Sequence, residues 1–232
     1  MSQSPAVSHA TIVRDGIAVG LATGAYGVSF GAVSVAGGLD VLQTCTLSLL
    51  VFTGASQFAL VGVLASGGAP LSGAATALLL GSRNTLYGLR LARLLDWRGW
   101  RRAAAAHLVI DESTAMAVNR PGTAPARVGF LATGLSVFVL WNAATLAGAV
   151  AGTSLGDPRT YGLDAAVGGA FLALLWPRLH SLRNRLVAVL AAALALGLVP
   201  VTTAGVPVLA AGLMAVAVGA LARSRRRGGR TG

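Results

Sequence analysis

A chain of 232 residues that is 55% hydrophobic and only 11% charged, with a mean hydropathy of +0.73, is too apolar for an ordinary soluble domain, where about a quarter of residues carry charge. Its 18 basic residues, all arginine, outnumber 7 acidic ones for a net charge of +11, which in a soluble protein would suggest nucleic acid. Here the cations sit at the ends of apolar runs, so the partner they imply is a lipid bilayer and not a nucleic acid.

In chain order, residues 1–15 are polar and lack the cationic and apolar regions of a leader, so no cleaved signal peptide is expected. Clear apolar segments follow at 16–36, 41–65, 128–152, 163–177, 186–204 and 206–222. Two more, 70–89 and 103–118, are shorter or carry charges. Gly37-Gly38-Leu39-Asp40, Ser66-Gly67-Gly68-Ala69-Pro70, Asn119-Arg120-Pro121-Gly122 and Gly156-Asp157-Pro158 are turn-like breaks between them. Alternation of period two is absent. The expectation is an all-α integral membrane protein: one domain, a polytopic helical bundle over 16–222 with six clear spans plus two short or re-entrant charged segments, ending in a basic cytoplasmic tail at 223–232.

The arginines suggest an orientation. With Arg14 inside, 37–41 lies outside and 66–69 inside. If 70–89 and 103–118 are re-entrant, 90–102, 120–127, 178–185 and the C-terminus are all cytoplasmic and only Arg159 is external. Full spans at both positions are the alternative. A faint echo, Gly20-Leu-Ala-Thr-Gly24 with Leu131-Ala-Thr-Gly134 and Gly38-Leu-Asp40 with Gly162-Leu-Asp164, hints at a two-fold internal repeat.

Four constellations could carry chemistry. Gly16, Gly20, Gly24, Gly27 and Gly31 place a smooth stripe on the first helix, which suits close packing. Alternatively, the helix unwinds there and Tyr26, Ser29 and Phe30 line a site. Phe52-Thr53-Gly54-Ala55-Ser56-Gln57-Phe58 puts a glycine, two hydroxyls and the Gln57 amide in mid-segment, where the amide either bridges helices or meets a polar ligand, with Ser56 and Phe58 beside it. Arg83, flanked by Ser82, Asn84 and Tyr87, either grips a carboxylate or pairs with Asp111 or Glu112. Those two acids suit a proton relay or an ammonium site, and at most one can face a given cavity well. His107 is read as interfacial. Cys45 is alone in an apolar run, so neither a disulfide nor a cysteine metal site is expected. The absence of a phosphate loop, metal spacing or nucleophile–base motif points away from an enzyme and from any cofactor.

Several stretches together resemble the AzlC family of azaleucine-resistance, branched-chain amino acid permeases. They are Tyr26-Gly-Val-Ser-Phe-Gly31, Ser48-Leu-Leu-Val-Phe-Thr-Gly-Ala-Ser-Gln-Phe58, Arg83 with Leu86-Tyr87-Gly88, Asp111-Glu112, Trp141, and Gly162 through Leu174. The resemblance implies a transporter in the bacterial cytoplasmic membrane exporting leucine, isoleucine, valine and methionine, working with a small hydrophobic subunit of the AzlD type. Coupling to the proton gradient is the mechanism expected here, with a passive channel or a non-transporting scaffold subunit as alternatives. One departure stands out: Gly81 and Asn84 occupy the asparagine and histidine positions of the family's usual Asn-x-Arg-His pattern.

Overall fold

The computed structural model describes residues 8–155, 172, 175–176 and 179–228. The expected span at 163–177, Arg159 and the Gly162–Leu174 stretch lie outside them. Ten helices are formed by the described residues: α1 (His9–Gly24), α2 (Tyr26–Ala36), α3 (Val41–Leu50), α4 (Ala55–Ala65), α5 (Pro70–Leu95), α6 (Gly99–His107), α7 (Asp111–Val118), α8 (Thr123–Leu155), α9 (Leu182–Leu198) and α10 (Val206–Gly228).

The pair α1–α2 runs beside α8, and the glycine stripe is the reason. A Cβ on Gly16 would lie 3.0 Å from Ala132 and Thr133, on Gly24 2.6 Å from Leu140, and on Gly27 2.5 Å from the Trp141 carbonyl. The helix does not unwind at these glycines; Ala25, between α1 and α2, keeps right-handed helical geometry. Both His9–Ala36 and Thr123–Ser154 are long and apolar enough to cross a membrane, and among the described residues no other helix meets that measure. The echo of Gly20–Gly24 in Leu131–Gly134 falls on these two side-by-side helices.

The segment 41–65, read from sequence as one span, is two half-helices. Ser48 of α3 donates to Thr145 of α8 at 3.4 Å, and Phe52 just beyond α3 meets Phe138 edge-on at 5.1 Å. α3 therefore runs antiparallel to α8. α4 then turns back: Phe58 packs on Trp141 at 6.1 Å, and a Cβ on Gly37 at the end of α2 would sit 3.2 Å from Ala65. Entry and exit of this hairpin share one end of the bundle. Residues 66–69 lie there too, opposite the arginines, because the backbone break at Val51–Gly54 reverses the chain at mid-depth.

α5 is continuous over 26 residues, about 39 Å at 1.5 Å per residue, so 70–89 forms one unbroken helix with no reversal within it. It ends where Arg127 of α8 donates to Leu95 O at 2.8 Å and to Asp96 O at 3.2 Å, a cation at a helix C-terminus. A second hairpin, α6–α7, rises from this arginine-rich end. His107 reaches Phe138 at 5.5 Å, and α7 returns until Arg120 pairs with Asp15 of α1 at 3.3 Å. Segment 103–118 thus lies in a half-length hairpin of two short helices. A long helix followed by a half-length hairpin occurs twice, over 9–65 and 70–118, with opposite direction. This is a repeat of architecture at positions other than the echo suggested. α9 and α10 form an outer pair anchored where Ser72 donates to Ala204 O at 3.0 Å.

The glycine contacts give a stability test. Gly27→Val drives a side chain into a backbone carbonyl and should cost about 1–3 kcal/mol or more. Gly62→Ala, where a Cβ meets nothing within 4 Å, should leave the melting temperature in detergent unchanged.

Candidate functional site

Each hairpin tip reverses the chain by breaking a helix, and broken helices leave backbone groups that need partners. Gly54 starts α4 with φ +59, a conformation open to glycine at little cost. Gln57, fully buried, accepts from Gly54 N at 3.0 Å and donates to Leu47 O at 3.3 Å, tying α4 to α3. In the other hairpin Ser113 does the same: its hydroxyl accepts from Ile110 N at 3.1 Å and donates to Leu108 O at 2.6 Å. Both side chains stand at the third position of their half-helix. The amide of Gln57 therefore makes a structural bridge within the first hairpin.

Between the tips lies a cavity of about 190 Å³. That exceeds the void of about 150 Å³ known to hold benzene and falls short of drug-sized pockets of about 300–1,000 Å³. Its apolar wall is Phe52, Phe58, Ile110, Val137 and Trp141; its polar wall is Thr23, Tyr26, Thr53, Arg83, Asp111 and Glu112. Arg83 of α5 binds Asp111 of α7 at 2.9 Å, with side chains only 27% and 16% exposed. Two donors there have no hydrogen-bond partner, Nε of Arg83 and Nε1 of Trp141, whose side chain is 4% exposed.

The N-terminal residues of both α4 and α7 line this cavity. Each helix N-terminus carries about half a positive charge. Together with Arg83 these offset the two carboxylates, so the site is close to neutral overall while separating donors from acceptors. Such a site favours a small molecule that carries both charges and no net charge.

Of the residues singled out from sequence, the structure brings Tyr26, Phe58, Arg83, Asp111 and Glu112 together around the cavity. Phe30 is fully buried against Phe58 and Trp141, ring centroids 5.3 and 5.9 Å away. Ser29 and Tyr87 do not line the cavity; Tyr87 packs against the hydrophobic core. Ser56 turns toward α5, where a Cβ on Gly81 would lie 3.3 Å from its hydroxyl. Asn84 lines a different cavity. Phe52 and Thr53 stood in the Phe52–Phe58 constellation without being assigned to the site, and Thr23, Ile110 and Val137 were not singled out, because only the reversal at the tips gathers them. Trp141 stood out only through the family pattern.

The sequence profile described as AzlC protein matches residues 18–155. The chain belongs to the AzlC family. The match runs from within α1 to the end of α8 and includes the first inverted unit from residue 18, the whole of the second and every residue of the cavity, so the family assignment and the site concern the same part of the molecule. No curated protein and no solved structure matches the chain. AzlC proteins are membrane proteins with roles related to branched-chain amino acid transport. The outward-facing Leu21, Leu42, Leu50, Leu71, Leu78 and Leu86 suit a lipid surround.

The Arg83–Asp111 pair predicts a pattern of stabilities. Arg83→Met or Asp111→Leu alone removes one charge from a largely buried pair and should cost about 3 kcal/mol, whereas the double substitution should recover much of that loss. Thermal unfolding of the three variants in detergent measures it.

Proposed function

We propose that this protein is a secondary transporter that exports branched-chain and related apolar amino acids (leucine, isoleucine, valine, methionine) across the bacterial cytoplasmic membrane. The observation that carries the reading is the Arg83–Asp111 pair beside Glu112, between two half-helix N-termini in a small cavity with an apolar wall. Half-helices meeting at mid-membrane are a recurring way for transporters to present backbone charge to a substrate. The substrate carboxylate would accept from Arg83, the indole N–H of Trp141 and the first-turn N–H groups of α4. Its ammonium would meet Glu112, and its alkyl group Phe52, Phe58 and Val137.

The two acids divide the work. Asp111 is engaged by Arg83, while Glu112 makes no ion pair among the described residues. Glu112 is therefore the group suited to exchange a proton for the ammonium and to couple export to the proton gradient, with Asp111 holding Arg83 in position. In the orientation that follows, the arginine-rich end and the C-terminus are cytoplasmic. A small hydrophobic subunit of the AzlD type is the expected partner.

Cells loaded with leucine by dipeptide feeding should release it faster when the chain is expressed with its partner, and sealed vesicles should show counterflow. Unchanged efflux of leucine and methionine would overturn the assignment, and efflux without counterflow would make the protein a channel. Arg83→Lys, which gives up paired hydrogen bonding, should lower efflux at least about tenfold, equivalent to about 1.4 kcal/mol. Glu112→Gln should weaken leucine exchange, because a neutral amide holds the ammonium less firmly than a carboxylate, and should abolish its response to an imposed proton gradient.

A further inference from the structure

A second cavity of about 530 Å³ lies on the arginine-rich side of the hairpin tips. It shares Phe52 and Thr53 with the first cavity and none of its other lining residues. Along α8 it reaches Phe130, whereas the first cavity reaches Trp141, about 16 Å further on. The two cavities are thus arranged in line along the bundle.

Their electrostatics are opposite. The first cavity is bordered by the N-terminal ends of half-helices; the second is bordered by the C-terminal ends of α3, at Leu50, and of α6, at His107. Those ends carry partial negative charge. Asn84 faces this second cavity, and its Oδ1 is buried with no hydrogen-bond partner. A buried acceptor beside helix C-termini calls for a cationic donor. Arg102 supplies a cation elsewhere on the lining, and Leu91, Leu95 and Phe130 supply an apolar wall.

We infer that the second cavity is a separate binding site for the same class of zwitterionic apolar amino acid, with the ammonium on Asn84 Oδ1 and the half-helix C-termini and the carboxylate toward Arg102. The inference rests on the transport reading above and extends it to a two-site route. Phe52 is the partition. Its ring is held between His107 at 6.2 Å and Phe138 at 5.1 Å, in contacts that a side-chain rotation can release. A substrate entering from the arginine-rich end would wait at Asn84 until Phe52 moves.

The test uses the full chain in sealed vesicles, with Cys45→Ser as background and a single cysteine introduced as Ala92→Cys, on the lining of the second cavity, or Tyr26→Cys, on that of the first. Saturating leucine should slow maleimide modification of both cysteines at least tenfold. Protection of Ala92→Cys should persist when Arg83→Ala disables the first site and be lost when Asn84→Ala disables the second. Protection at Tyr26→Cys but not at Ala92→Cys overturns the second site and leaves the transport reading standing. Loss of protection at Ala92→Cys on adding Arg83→Ala means one extended site and also overturns it. Absence of protection at both positions overturns the transport reading itself. Because the variants could fold poorly, leucine binding to the unaltered chain provides an independent measure: two per chain are expected, and one contradicts the inference.

Discussion

A chain that reverses direction at the centre of a lipid layer must satisfy the backbone groups it exposes there, because each unsatisfied one costs several kcal/mol in hydrocarbon. In this protein that requirement is met twice, by Gln57 at one tip and Ser113 at the other. With both tips tied, the first-turn N–H groups of α4 and α7 are left facing a common space. The cavity, its electrostatics and the position of the Arg83–Asp111 pair all follow from those two reversals.

The tips hold their places because the surrounding helices pack closely. Small residues on α1, α2 and α8 bring backbones so near that a single Cβ at Gly31 would strike the Thr145 carbonyl. Lipid gives little hydrophobic drive for helices to associate, so such surface matching contributes much of the cohesion. α5 is where the two inverted units meet. It packs along α4 of the first unit through Gly73 and Gly81, while Arg83 ties it to α7 of its own unit.

Much of this was legible in the sequence, and for physical reasons. Low charge and long apolar runs read directly as a helical membrane protein, and the glycine stripe read as a packing face. Arg83, Asp111 and Glu112 stood out because ionisable groups in apolar surroundings are costly. The break at Val51–Gly54 was not legible as a reversal: the polar residues Thr53, Ser56 and Gln57 read equally well as helix-bridging groups inside one span, and only the positive φ at Gly54 marks the turn. Hence 41–65 looked like one span. For 70–89 the loop charges pointed the other way: putting 90–102 on the same side as 66–69 called for a reversal within that segment, whereas α5 runs on unbroken for its full 26 residues. Side-chain partners of Gln57 and Asn84 depend on which neighbour each half-helix meets, which no local pattern encodes.

The central claim is that 41–65 dips into the membrane and returns, while 70–95 crosses it. Cysteine accessibility in intact cells tests this most directly, with Ser66→Cys and Thr123→Cys compared in a Cys45→Ser background. Ser66 is exposed in the turn after α4, and Thr123 is exposed as the first residue of α8. The account predicts that an impermeant maleimide labels Ser66→Cys from outside and reaches Thr123→Cys only after the cells are permeabilised. Labelling of both positions from the same face would contradict it.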